Sequence, residues 1–184
     1  LTSGRIGFAL GPRLNAGGRL DRADGAVRLL TTEDPAEAES LALELDRLNA
    51  QRQQMVETTV EEAERMWQEK RPEGRSVIVL ANPGWHAGIA GLVASKLVER
   101  HYLPAIVLAE DPDTGLAKGS ARSIDGFDLH AALTACAPLM EHFGGHQAAA
   151  GLTIRTDRLA QLEESLHQWA TERLQPEDWL PKKR

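Results

Sequence analysis

A single cysteine, Cys136, stands among the 184 residues, which excludes a disulfide framework and a cysteine-based zinc site. No apolar run approaches the roughly 20 residues that span a bilayer, and the N-terminus has no signal-peptide pattern. P-loop, Rossmann and nucleophile-elbow motifs are missing too. So is an Asp-His-His motif, and a two-metal hydrolytic centre cannot be built from these residues alone. The absences predict a soluble protein of a reducing compartment, the cytoplasm, with no membrane partner. The start at Leu1 rather than methionine, inside Gly-rich sequence, predicts a piece of something longer.

Hydrophobic residues are 42% and charged residues 26% of the chain, the composition of a folded domain. A chain this long buries a sizeable core without staples. The formal net charge of −6 speaks against nucleic acid until its distribution is read. Residues 33–73 hold twelve acids and five bases, whereas residues 1–28 hold five arginines against Asp21 and Asp24. The acid is confined to one segment, and the Gly-rich segments are neutral or basic, open to an anionic ligand.

Asp34-Pro35-Ala36-Glu37 is a helix start: Asp34 suits the cap, Pro35 the first helical position and Glu37 a capping box. No Gly or Pro interrupts from there to about Lys70, and Leu41, Leu45, Leu48, Met55, Thr59 and Met66 fall on one stripe. Unbroken, that helix is roughly 50 Å long. It reads either as a core helix with one wet face or as a connector between domains. After the Pro72-Glu73-Gly74 break, Ser76–Ala81, Ala105–Ala109, Leu116–Ile124 and Ala149–Ile154 read as strands. His86–Arg100, Asp128–Met140 and Asp157–Leu174 read as helices, with a break at Gly144-Gly145. This alternation predicts an α/β domain over residues 74–174. Residues 11–19 read as a flexible loop ahead of a short helix around Ala23–Leu30.

Four patterns suggest anion chemistry. Gly84-Trp85-His86-Ala87-Gly88-Ile89 puts glycines and a histidine at a helix mouth after a buried strand, where free backbone N–H groups favour phosphate or carboxylate. Gly119-Ser120-Ala121-Arg122-Ser123 puts Ser120 and Arg122 on one face of a strand, a hydroxyl beside a guanidinium. Gly144-Gly145-His146 lets backbone approach a ligand closely, with His146 beside it. Gly11-Pro12-Arg13-Leu14-Asn15-Ala16-Gly17-Gly18-Arg19 carries two arginines and an asparagine. Each pattern alone also reads as plain structure: a tight strand–helix turn, an edge strand with a solvated arginine, a Gly-Gly turn. His142 and His146 are four apart, but the glycines between them break a helical metal site, and no metal ligand is assigned.

In this order the patterns are no longer independent. With Gly11–Leu20, His86–Leu97, Lys118–Ile124 and Gly144–Gly151, the chain resembles the C-terminal part of the catalytic core of the RecJ family, single-strand-specific 5′→3′ DNA exonucleases of the DHH phosphoesterase superfamily. The last three motifs are shared with oligoribonucleases and cyclic-dinucleotide phosphodiesterases, which stay open as an alternative. A non-catalytic nucleic-acid-binding scaffold is a third reading. The first motif and the acidic helix favour the exonuclease.

The resemblance implies a mixed sheet flanked by helices, the DHH-associated domain, over 74–174. A long connecting helix over 34–73 would precede it, residues 1–33 would be a remnant of the DHH domain, and 175–184 a linker toward an oligonucleotide-binding domain. It implies manganese or magnesium bound outside this chain, and none within it. Single-stranded DNA would be the partner, with single-strand-binding protein a second candidate. By motif, Ser120 and Arg122 would hold the 5′-terminal phosphate, and Ser123 would bind nucleic acid beside them. Gly144, Gly145 and His146 would contact the scissile or adjacent phosphate, His146 stabilising charge there. His86 and Gly88 would line the same cleft, and Arg13, Asn15 and Arg19 would contact the strand or shape its narrow entrance. Gly17 stands where the motif often has alanine. With the metal domain elsewhere, Leu41, Leu45 and Leu48 are expected to lack part of their partner, leaving residues 1–32 mobile or the stripe covered by another chain.

Overall fold

A computed structural model describes residues 2–20, 22–70, 74 and 76–180, in two units, Leu1–Thr58 and Thr59–Arg184. In the first unit, α1 (Ser3–Arg5) runs through a π-helical stretch, Ile6–Leu10, into α2 (Gly11–Leu20). Then come α3 (Asp24–Thr31) and the start of α4 (Pro35–Lys70). The Gly-rich stretch expected as a flexible loop is therefore helical. Its glycines cost helix propensity, and tertiary packing offsets that cost. Arg13 donates from Nε to Asp46 Oδ1 at 2.7 Å and from Nη1 to the Ala9 carbonyl at 2.8 Å. Ala16 and Gly17 are buried, with Gly17 facing Leu45.

This packing also corrects the expectation of an uncovered stripe. Leu41 is 9% and Leu45 3% exposed within the chain itself. The apolar side chains left outside are others: Ile6, Phe8, Val27, Leu30 and Leu43. At the start of α4, Asp34 Oδ1 accepts from the Ala36 N–H at 2.9 Å, as expected of a cap. Glu37, however, does not close a capping box. Its carboxylate accepts from the Thr32 hydroxyl and the Arg28 guanidinium, and these two partners hold it below the usual carboxylate range.

In the second unit the apolar runs become β1 (Ile78–Asn82), β2 (Ala105–Asp111) and β3 (Leu116–Arg122), followed by β4 (Met140–Gly145) and β5 (Ala149–Arg155). The sheet order is β1-β2-β3-β5-β4, with β1 and β2 parallel and the other pairs antiparallel. The fold is thus an α/β mixed sheet flanked by helices. Sequence periodicity missed β4 and ran α6 (Leu129–Ala135) on to Met140. The Gly-Gly expected as a break is the end of an edge strand, where a partner on one side is enough to hold glycine extended.

On one face, Val79, Ile106, Leu108, Ala117, Ala121, Leu152 and Ile154 form a core with Leu129 and Leu133 of α6 and Leu162 and Leu166 of α7 (Leu159–Arg173). Phe127 meets Trp169 edge-on there, 5.1 Å between ring centres. On the other face, α5 (Ala90–His101) packs on β2 and β3. The end of α4 belongs to this unit: Val60, Ala63 and Trp67 are buried. Trp85 Nε1 donates to Glu62 at 2.8 Å, and Glu64 accepts from Arg100 at 3.1 Å and from His101 Nε2 at 2.9 Å. Trp67 lies edge-on to His101. Trp67, 4% exposed, should therefore matter far more than its place on a polar helix suggests. We expect Trp67→Ala to cost about 3–5 kcal/mol in chemical denaturation, and Leu43→Ala, at an exposed position, to stay within about 0.5 kcal/mol.

Candidate nucleic-acid interface

Alternation along β3 sends Ala117 and Ala121 into the core and leaves Lys118, Ser120 and Arg122 on the α5 side. The register carries that face outward. Ser120 pairs with Gly151, and Gly151 with Gly144, so beside the Ser120 hydroxyl two strands offer bare backbone. In the next row Lys118 pairs with Thr153, and Thr153 with His142, whose Nε2 is 3.2 Å from the Thr153 hydroxyl. Arg122 pairs with Ala149. This surface holds two cations and an imidazole, and none of its named side chains is a carboxylate. Gly144, Gly151 and His142 are exposed on it.

The wall beside β3 is the 3₁₀ turn Ala87–Ile89, which touches β3, and the start of α5. A Cβ added at Gly91 would stand 2.6 Å from Arg122 Nη2, so the guanidinium lies against the bare backbone of the helix. Arg122 Nη1 also donates to the Ala121 carbonyl at 2.8 Å, which fixes the direction of the fork. The helix mouth differs from expectation. Its Gly88 N–H is not waiting for a ligand, because it donates to His86 Nδ1 at 3.1 Å. With Nδ1 an acceptor, the neutral His86 ring carries its proton on Nε2, and His86 is exposed. The residue that the sequence offered as a cleft wall is thus a helix cap that presents a ring donor.

His146 sits in the turn between β4 and β5, exposed, its N–H donating to the Ala149 carbonyl at 2.8 Å. Since Ala149 also faces Arg122, His146 and Arg122 are two strand spacings apart along the backbone, about 10 Å. Gly145 has φ +153°, and a Cβ there would lie 2.4 Å from the Ala149 carbonyl oxygen. Only glycine closes this turn so tightly. Ser123 stands apart from the group. Its hydroxyl donates to the Phe127 carbonyl at 2.7 Å and its N–H to Ala148 at 3.0 Å, so it ties down the following loop and offers a ligand no hydroxyl proton.

In the first unit, Arg13 is bound to Asp46 and Ala9, Asn15 is exposed and Arg19 half-buried on α2. Among the described residues, no three His, Cys, Asp or Glu gather into a cation site.

Residues 74–172 match the sequence profile of the DHHA1 domain. The chain belongs to that family. Over 176 residues it is 48% identical to the single-stranded-DNA-specific exonuclease RecJ of Bacillus subtilis, covering 96% of this chain and 22% of the relative. The crystal structure of RecJ with Mg2+ from Thermus thermophilus aligns with a TM-score of 0.81 and 33% identity, over 91% of this chain and 26% of that one. A structure of exonuclease RecJ bound to manganese aligns with a TM-score of 0.79 and 32% identity, over 95% and 42%. The chain therefore spans a minor part of the proteins it matches.

Two members of the surface on this DHHA1 domain escaped the sequence reading. Lys118 was within reach, since it shares the period-two face of Ser120 and Arg122. Gly91 left no signal, because its role is a contact with a strand 31 residues later. We expect Gly91→Ala to leave the fold intact, its helix propensity offsetting the displaced side chain. The same change should push the Arg122 guanidinium off the helix backbone, seen as a shift of its side-chain Nε–H signal by heteronuclear NMR.

Proposed function

We propose that this chain is the strand-gripping part of a longer RecJ-type exonuclease that hydrolyses single-stranded DNA from its 5′ end. The observation that carries this reading is the cationic face of β3, Lys118–Ser120–Arg122, set beside the side-chain-free row of Gly151 and Gly144. A guanidinium and a hydroxyl suit a terminal phosphate, and a bare backbone floor lets a sugar or base come close. The RecJ relatives named for single-stranded DNA support the choice of ligand over dinucleotides or oligoribonucleotides.

In this reading residues 1–33 close a DHH domain, 34–73 connect it, 74–174 grip the strand and 175–184 lead toward an oligonucleotide-binding domain. The exposed Phe8, Val27 and Leu30 support a further packing partner for the first segment. Manganese or magnesium, which the related structures contain, would be held by residues outside this chain. Ser120 and Arg122 hold and orient the 5′-phosphate, His146 places positive charge or a ring donor at the adjacent phosphate, and His86 Nε2 borders the strand. Arg13, Asn15 and Arg19 of the first unit also bind nucleic acid in this reading. The setting is DNA repair and recombination in the cytoplasm, with single-strand-binding protein as a partner. No described helix is long and apolar enough to cross a membrane.

Anisotropy with labelled oligothymidylates bearing a 5′-phosphate or a 5′-hydroxyl tests the reading. The chain should prefer the phosphate, and Arg122→Ala should erase that preference, a loss of about tenfold. With few phosphates neutralised, the salt slope should be shallow. In the longer parent, His146→Ala should lower kcat by about 10²-fold or more and change KM little. Metal-dependent cleavage of labelled strands by the purified chain, or equal binding of both 5′ ends, would overturn the assignment.

A further inference from the structure

The residues after α7 read as a linker in the sequence, but the first of them are packed. Gln175 leads into a 3₁₀ turn, Pro176–Trp179. The Asp178 N–H donates to the Gln175 carbonyl at 3.0 Å, and the Gln175 N–H donates back to Asp178 Oδ2 at 3.1 Å. So short a turn has too few hydrogen bonds to hold itself in water. Its anchor is apolar: Leu174 before it and Trp179 at its end pack on the core cluster that includes Ile124 and Phe127. The other carboxylate oxygen, Asp178 Oδ1, lies against Gly126, 3.1 Å from where a Cβ would stand. Gly126 has φ +95°, so glycine is required there both by the backbone and by this neighbour.

The turn that holds Gly126, residues 124–127, follows directly on Arg122 and Ser123. The Phe127 N–H donates to the Ile124 carbonyl at 3.3 Å, and the Phe127 carbonyl accepts from the Ser123 hydroxyl at 2.7 Å. Two backbone bonds then stitch this loop to the turn between β4 and β5. The Ser123 N–H donates to the Ala148 carbonyl and the Leu129 N–H to the Gln147 carbonyl, both at 3.0 Å. Gln147 and Ala148 follow His146 directly. One loop therefore continues from Arg122, is bonded beside His146, and meets the C-terminal turn at Gly126.

We propose that Asp178 and Trp179 are positioning residues: the segment 175–179 braces the 124–127 turn and so sets the spacing of Arg122 and His146 on a 5′-phosphorylated strand. Neither side chain touches the strand. They act through the loop, whose exposed middle at Gly126 has Asp178 as its wall. The role in phosphate binding rests on the proposed function above; the brace itself does not.

Amide hydrogen exchange on the full 184-residue chain, read by NMR, tests this together with anisotropy on 5′-phosphate and 5′-hydroxyl oligothymidylates. In Trp179→Ala the Ser123 and Leu129 amides should exchange about tenfold faster or more, while the amides of β2 keep their protection. The preference for the 5′-phosphate should fall about three- to tenfold, and Trp179→Phe should restore both readings. Should Trp179→Ala fail to fold, Trp179→Leu carries the same test. Faster exchange throughout the sheet marks a merely structural tryptophan and overturns the positioning role. An unmoved exchange rate at Ser123 and Leu129, or an unmoved preference, overturns it too. Equal binding of both 5′ ends by the unaltered chain overturns the proposed function instead, and local acceleration at Ser123 and Leu129 then upholds the brace alone.

Discussion

Arg122 lies along the first turn of α5 because Gly91 puts no side chain there. The contact settles more than one residue. It lets the helix sit on β2 and β3 while a guanidinium emerges between helix and sheet, its direction fixed by the Ala121 carbonyl. The face of β4 and β5 beside it stays open, with Gly144, Gly151 and His142 exposed. A sheet covered by helix on part of one face has a step at the boundary. Ser120 and Arg122 stand on that step, next to a floor of backbone.

The opposite face makes such exposure affordable. There the alternate residues of the same strands, Ala117 and Ala121 on β3 and Leu152 and Ile154 on β5, pack into one apolar core with α6 and α7. Burial on that side supplies the stability of β3 and β5, so their other side is free to carry polar and glycine residues. Glycine weakens a strand, and four glycines stand on β3, β4 and β5. They are tolerated because register and core packing come from the neighbours. In the first unit the same principle appears in helical form: a Gly-rich segment becomes α2 because Asp46 and Leu45 of α4 give it something to pack on.

How much was legible follows from the range of each interaction. Strands β1 and β2 were plain from their unbroken apolar runs, and the pairing of Ser120 with Arg122 from a period of two. The Asp34 cap was plain from side chain and position. Strand β4 was not, since Met140-Glu141-His142-Phe143-Gly144-Gly145 has neither a run nor a strict alternation, and only pairing with β5 makes it extended. The capping box at Glu37 failed because Arg28 and Thr32, arriving from the preceding segment, compete for the carboxylate. The packed turn at Pro176–Trp179 was passed over as a linker, because its one large apolar side chain, Trp179, makes no periodic pattern.

By itself, then, the order of residues determined what depends on near neighbours: which side chains alternate to one face, where helices begin, and that acid is confined to one stretch and spared from the Gly-rich ones. Tertiary structure decided what each polar group has already met. It gave Arg13 to Asp46, the Gly88 N–H to His86 and the Ser123 hydroxyl to Phe127. The physical reason is that a donor's availability depends on which acceptors the folded backbone brings within reach, whether from the same turn, as His86 for Gly88, or from another helix, as Asp46 for Arg13. Composition and spacing do not record them.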